Sequence, residues 1–262
     1  MWKISLRGDK MDGYFLTHRG KVRSHNEDAG GIYYNQSGQP LAIIADGMGG
    51  HQAGDVASKM AASLIQEKWE PIQKMKQPDE SEQWLSKAIA DINTSIFNRA
   101  LKHAEYEGMG TTIVVAICTE EFITIAHIGD SRCYLLNENG FVQLTEDHSL
   151  VNELVRAGQI SKDDAEHHPR KNVLLKALGT EEKVTEDVQT ISWEQGNRIL
   201  LCSDGLTNKI SDDELKEYLE SEQDLQEIGN DMIQLANDRG GEDNISLVIL
   251  QHTSVASGGG TT

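Results

Sequence analysis

Apolar positions along the chain follow two periods, and these arrive in batches. Two strands surround residues 30–46, the second ending in the run Leu41, Ala42, Ile43, Ile44, Ala45, which is too short and too β-branched for a helix. Helical spacing follows over about 54–69, where Val56, Met60, Ala61, Leu64 and Ile65 share one face. A second helix over about 81–104 carries Trp84, Leu85, Ala88, Ile89, Ile92 and Ile96 on its apolar side. The segments TTIVVAI, FITIAHI, RCYLL and FVQLT then read as strands joined by tight polar links such as NENG. Shorter helical pieces occupy 149–167, one of them opened by Ser161. Strands return near 184–191 and 198–202, helices near 211–220 and 222–238, and ISLVIL closes the series. Long helices in consecutive pairs and strands as hairpin neighbours do not make a doubly wound parallel sheet. The pattern predicts an α+β fold of antiparallel sheets with helix pairs laid over their outer faces.

No internal repeat or linker interrupts the 262 residues, so one domain over about 11–252 is expected. Met11 resembles a natural start, which makes 1–10 an N-terminal extension expected to be flexible. The small polar tail over 253–262 is expected to be disordered. No stretch reaches the ~18 consecutive apolar residues of a membrane span, and no charged-then-apolar leader resembles a signal peptide. The chain is therefore expected to be cytoplasmic, with no membrane partner. Its 42 acidic and 24 basic residues leave a formal charge of -18, a field that repels nucleic acid and anionic lipid. Cys118, Cys133 and Cys202 sit in or beside apolar runs without a CxxC pair, the mark of reduced buried thiols. None has an arginine six residues on, which a cysteine-phosphatase loop would need, so thiol nucleophile chemistry is not expected.

Candidate chemistry lies at the strand ends. Asp46 follows the run 41–45 and precedes Gly47; Asp130 follows FITIAHI; Asp204 stands two residues past a strand and before Gly205; Asp243 precedes the last strand after Gly240 and Gly241. One such aspartate is ordinary turn punctuation. Four of the same construction suggest convergence on one sheet edge, where mutual repulsion and lost solvation demand a cation. Hard oxygen donors without a His or Cys ligand pattern favour Mg²⁺ or Mn²⁺ over Zn²⁺, and the Gly47 carbonyl is close enough in sequence to join them. In GKVRSHNEDA, Arg23 precedes Glu27 and Asp28; an arginine suits a phosphate held beside a metal, although a solvated charged loop would look the same.

RSHNED, ADGMGGH, GMGTT, AHIGDSR, LCSDGL and GGEDNIS, in this order and spacing, resemble the metal-dependent type 2C serine/threonine protein phosphatases, nearest to the compact bacterial members. The resemblance covers about residues 14–250. It implies a four-layer α-β-β-α sandwich and hydrolysis of phosphoserine and phosphothreonine in proteins by attack of a metal-bridging hydroxide, without a covalent intermediate. It also implies that Asp46 bridges two metals (Mn²⁺ or Mg²⁺), that the Gly47 carbonyl contributes to one, and that Asp204 and Asp243 complete the other. Glu27 would bind directly or through water, Asp28 would support from behind, and Arg23 would hold the phosphate. Asp130 with Asp204 would match a third, weaker metal site, and about 148–178 would be a flap beside the active site. Implied partners are phosphoprotein substrates and a cognate serine/threonine kinase, and the protein is expected to be a monomer.

Met48 stands where many eukaryotic relatives carry a histidine proposed as general acid. A thioether cannot donate that proton; His25 and His51 are the nearby histidines, each also open to a structural role. The competing reading is a catalytically inactive relative serving as a binding scaffold. Such proteins typically lose metal carboxylates, whereas Asp46, Asp130, Asp204 and Asp243 are all present. No DxD pair, GNHE motif or GxxxxGK[ST] loop supports another phosphatase class or a nucleotide hydrolase.

Overall fold

In the computed structural model, residues 2–7, 11–50 and 53–253 are described. Strands β1 (Trp2–Arg7), β2 (Met11–His18), β3 (Asp28–Tyr34) and β4 (Pro40–Met48) come first, followed by helices α1 (Ala53–Trp69) and α2 (Pro78–Lys102). Strands β5 (Gly110–Thr111), β6 (Ile113–Cys118), β7 (Phe122–Ile128), β8 (Arg132–Asn137) and β9 (Gly140–Gln143) lead to the short helices α3 (Leu150–Arg156) and α4 (Lys162–Glu166). The chain ends with β10 (Asp187–Ser192), β11 (Arg198–Cys202), α5 (Asp204–Thr207), α6 (Asp212–Glu220), α7 (Leu225–Asp238) and β12 (Ile245–His252).

Two antiparallel sheets result. One runs β1-β2-β12-β11-β8-β9 and the other β10-β7-β6-β4-β3, with β5 attached to β4. Three apolar layers hold them. The first joins Leu41, Ile43, Ile113, Val115 and Ile117 to Ile65, Trp69, Ile89 and Ile92 of α1 and α2. The middle layer joins Ala42, Ile44, Val114 and Ala116 to Phe15, Ile199, Leu201 and Val248 of the facing sheet. The third packs Tyr14, Leu16, Leu200, Leu247 and Ile249 against Leu215, Ile228 and Met232 of α6 and α7. Odd and even positions of β4 serve different layers because successive side chains alternate across a strand. That is why its apolar run is continuous, and why the expected four-layer α+β sandwich forms.

Most expected elements stand within a few residues of their place. Helix α2 starts at Pro78 rather than 81, with proline in its first turn, where the missing N–H is harmless. Ser161 accepts from the Asp164 N–H and caps α4, while Asp224 caps α7. The expectation of a flexible extension over 1–10 is corrected for the part described. Trp2–Arg7 pairs with β2 from Trp2↔Thr17 to Arg7↔Asp12, covering backbone groups that β2 would otherwise leave open as a sheet edge. The alternation of Trp2, Ile4 and Leu6 with Lys3, Ser5 and Arg7 was the overlooked strand signal. Residues 254–262 of the expected disordered tail lie outside the described residues. All three cysteines are free and buried, and burial raises each thiol above its ordinary range. No helix among the described residues is long and apolar enough to cross a membrane.

Candidate metal centre

At one end of the sandwich the faces that carry the middle layer turn polar. Ser203 follows Ile199 and Leu201 in parity, Ser246 precedes Val248 and Leu250, Thr17 follows Phe15, and Asp46 follows Ala42 and Ile44. Strand alternation therefore aims all four into the gap between the sheets. Asp28 sits opposite Asp46 in the β3–β4 register and accepts from Ser203 Oγ at 2.8 Å and Ser246 Oγ at 2.6 Å. Its other oxygen, Oδ1, has no hydrogen-bond partner among the described residues. Burial, only partly offset by the two hydroxyls, pushes the Asp28 carboxyl up to about 7.

Beyond this polar plug opens a cleft of about 240 Å³, lined by Arg23, Glu27, Asp46, Gly47, Met48, Gly49, Thr112, Asp130, Asn172, Leu174, Asp204, Asp243 and Asn244. The four strand-end aspartates thus share one floor, brought there by four separate segments. Burial, then Asp28, Asp204, Asp130 and Asp243, hold the Asp46 carboxyl well above the usual range. Burial and Asp243 raise Asp204. Burial and Asp204 lead in raising Asp130, to about 8. Glu27 is raised by burial against the opposing pull of Arg23. Carboxylates so arranged hold protons tightly, which is the electrostatic demand a divalent cation meets.

Close backbone packing sets these positions. The Asp46 N–H donates to Thr112 Oγ1 at 2.9 Å, and the Asp46 carbonyl accepts from Thr112 N at 2.8 Å. The Gly47 N–H donates to the Glu27 carbonyl at 3.1 Å. A Cβ on Gly47 would collide with the Gly54 carbonyl oxygen, and one on Gly54 would lie 2.8 Å from Glu27 Oε2. Only glycines at both places allow the first turn of α1 to pack against the end of β4. Gly205 plays the same part in α5: its Cβ would strike the Asn244 carbonyl oxygen, so its absence lets Asp204 approach Asp243. Gly205→Ala is expected to lower the melting temperature by about 3–10 °C, the effect of a ~1–3 kcal/mol overpacking in a domain of this size. Calorimetric unfolding with Mn²⁺ titration checks it, since separation of the two aspartates should weaken metal binding as well.

Asp46, Asp130, Asp204, Asp243, Gly47, Glu27 and Arg23 are all brought together at the cleft, and Asp28 lies behind it, buried. Arg23 is exposed and donates to Asp243 Oδ2 at 2.8 Å and to the Glu242 carbonyl at 3.2 Å. An exposed pair of this kind contributes less than about 1 kcal/mol, so it holds the guanidinium only weakly. Met48 lines the cleft; His25 is exposed and outside the lining, and His51 lies outside the described residues. Sequence reading missed the supporting side chains Thr112, Ser203, Ser246 and Asn244. Asn244 ties Arg19 and His25 carbonyls to the Glu27 N–H. Strand parity was the signal that would have found the two serines. A further set of metal-ligand types stands apart from the cleft, where ligand atoms of His127, His148 and Asp187 lie within 4.8 Å of one another.

The family model "Protein phosphatase 2C" matches residues 17–248. The serine/threonine phosphatase stp of Listeria welshimeri is 47% identical over 248 residues, covering 95% of this chain and 98% of the relative. The crystal structure of the serine/threonine phosphatase Stp1 from Staphylococcus aureus superposes with a TM-score of 0.87 at 40% identity, covering 91% of this chain and 94% of the other. The catalytic domain of the serine/threonine protein phosphatase PstP, in complex with 2 manganese ions, gives 0.82 at 30% identity over 94% and 99%.

Proposed function

The chain belongs to the protein phosphatase 2C family and is a protein-serine/threonine phosphatase, and on that premise we propose how its own residues act. Asp46, the Gly47 carbonyl, Asp204 and Asp243, with Glu27 directly or through water, hold two Mn²⁺ or Mg²⁺ ions. The observation that carries this reading is the convergence of four aspartates from separate segments on one cleft floor. The donor set fits: it is all oxygen, as hard divalent ions prefer, and its carboxylates raise one another's proton affinity. Bound there, such ions supply positive charge for phosphoryl oxygens and acidify a water for direct attack on phosphorus.

The protein's own groups do the rest. The guanidinium of Arg23 exchanges Asp243 for the substrate phosphate, spreading charge over two of its oxygens. Asp28 stands opposite Asp46 in the β3–β4 register, and its link to Ser203 and Ser246 pins the two sheets together behind the site. The departing serine or threonine alkoxide needs a proton. Met48 has none to give, so a water held on the Asp130 side supplies it. Asp130 and Asp204 form a third, weaker cation site in this reading. Nothing in the cleft favours an inactive scaffold. Residues 11–252, with β1 added at the edge of one sheet, form one phosphatase domain, acting as a cytoplasmic monomer on phosphoproteins and opposing a bacterial serine/threonine kinase.

Release of phosphate from phosphoserine and phosphothreonine peptides, with Mn²⁺ and with excess chelator, tests the reaction. Full turnover in the chelator would end the metal reading. For the third site, Asp130→Ala should lower kcat by about 10–100-fold, the scale for losing an ordering group at a metal centre, while calorimetry still counts two tight ions. A role limited to capping the turn predicts lost stability with unchanged turnover per folded molecule.

A further inference from the structure

His127, His148 and Asp187 have the composition of a transition-metal site, yet their hydrogen bonds oppose that use. The Gly129 N–H donates to His148 Nδ1 at 3.1 Å, so Nδ1 carries a lone pair and the neutral ring keeps its proton on Nε2. That Nε2 is buried without a hydrogen-bond partner among the described residues, 3.4 Å from Asp187 Oδ2. A metal at Nε2 would require the proton on Nδ1, facing the Gly129 N–H donor to donor. The His127 Nε2–H donates to the Glu146 carbonyl at 2.9 Å, and the two rings stack with centroids 4.7 Å apart. His148 is therefore held neutral. Burial, His127 and nearby Lys176 all lower its proton affinity against the pull of Asp187.

What the ring joins is more informative. The His148 backbone N–H donates to the Gly129 carbonyl at 2.9 Å while its Nδ1 accepts from the Gly129 N–H. One residue thus clamps both polar backbone groups of Gly129, at a φ of +108°, immediately before Asp130. On its other side the His148 carbonyl accepts from Leu175 N at 2.8 Å, and Leu150 N donates to the Val173 carbonyl at 2.8 Å. Those bonds frame the Ser149↔Leu174 bridge, and Leu174 with Asn172 forms a wall of the cleft.

We propose that His148 is a positioning residue for the phosphatase reaction: its neutral Nδ1 fixes the Asp130 turn and, through the same residue, ties it to the flap segment 172–175. It touches neither substrate nor reacting atoms. The inference rests on the proposed role of Asp130 at the third cation site. It departs from a plain packing role in one way: the acceptor atom matters, and not only the ring.

His148→Phe keeps a ring for stacking and removes the acceptor. His148→Gln keeps polarity but displaces the acceptor by a methylene, and serves as a second variant should the phenylalanine impair folding. His148→Asn places Oδ1 where Nδ1 stood. In metal-free protein, amide exchange at Gly129 should accelerate about tenfold or more in the Phe and Gln variants and return towards wild type in Asn. The weakest step of a calorimetric Mn²⁺ titration should weaken about 10–100-fold in the same two variants. Turnover of p-nitrophenyl phosphate should fall with it at nearly unchanged KM, and Asn should recover most of both. Faster Gly129 exchange with unchanged Mn²⁺ binding and kcat would overturn the coupling, as would failure of Asn to rescue a folded protein. Asp130→Ala run beside them keeps the two readings apart. If it leaves the weakest Mn²⁺ step intact, the third-site assignment falls, whereas the exchange data still judge the clamp.

Discussion

Asp46→Asn is expected to lower turnover of p-nitrophenyl phosphate about a thousandfold, the upper range for removing one preorganised electrostatic group from an active site. The substitution keeps the size of the side chain and removes the charge. Asp46 differs from its neighbours in its surroundings: Asp28, Asp204, Asp130 and Asp243 all raise its carboxyl, after burial itself. It is therefore the carboxylate to which a shared cation contributes most. Metal affinity should collapse together with turnover, as calorimetric titration would record. Asp243→Asn should do less, because Asp243 lies at the exposed margin, where Arg23 already pairs with it at 2.8 Å. Near wild-type activity in a folded Asp46→Asn protein would move the centre of the site elsewhere in the cleft.

Chelation should abolish activity and reverse the pH dependence of stability. Without metal, Asp28 and Asp130 hold their protons up to about 7 and about 8 in the folded state, against about 3.9 for an unfolded aspartate. A raised folded pKa stabilises fully below the unfolded value, and that stability is lost as the pH rises through the folded value. Melting temperature in EDTA should therefore fall from pH 5 to pH 8.5. Saturating Mn²⁺ should raise it, more at pH 8 than at pH 6, because cation and protons compete for the same oxygens. At a hundredfold excess over Kd each site contributes about 2.7 kcal/mol, or roughly 5–10 °C for a domain of this size. A melting temperature independent of pH in EDTA would show that the carboxylates do not crowd one another in solution.

Period and punctuation made most of the sandwich legible. The apolar faces of α1 and α2, the strands β6 to β9 and the cap at Ser161 are local properties of neighbouring residues, and so they survive in a one-dimensional reading. Strand β1 was overlooked although Trp2, Ile4 and Leu6 alternate with polar residues, because Met11 drew the boundary. β2 also passed unmarked; its Gly13 and the turn polarity around it weaken the strand pattern.

The candidate site divides along the same line. Sequence by itself singled out the candidate residues: each of Asp46, Asp130, Asp204 and Asp243 ends or precedes an apolar run beside small residues, a purely local construction. Sequence also placed Met48 where it can offer no proton. Only the tertiary structure decided that Asp28 is buried behind the cleft on Ser203 and Ser246, that Gly205 yields to the Asn244 carbonyl, and that His148 answers Gly129. These partners are separated by 175 and 218 residues for Asp28 and by 19 for His148. No local pattern encodes such pairings. They arise when two sheets stack and strand parity brings polar faces together, and each lone polar group buried there must find its partner across the gap.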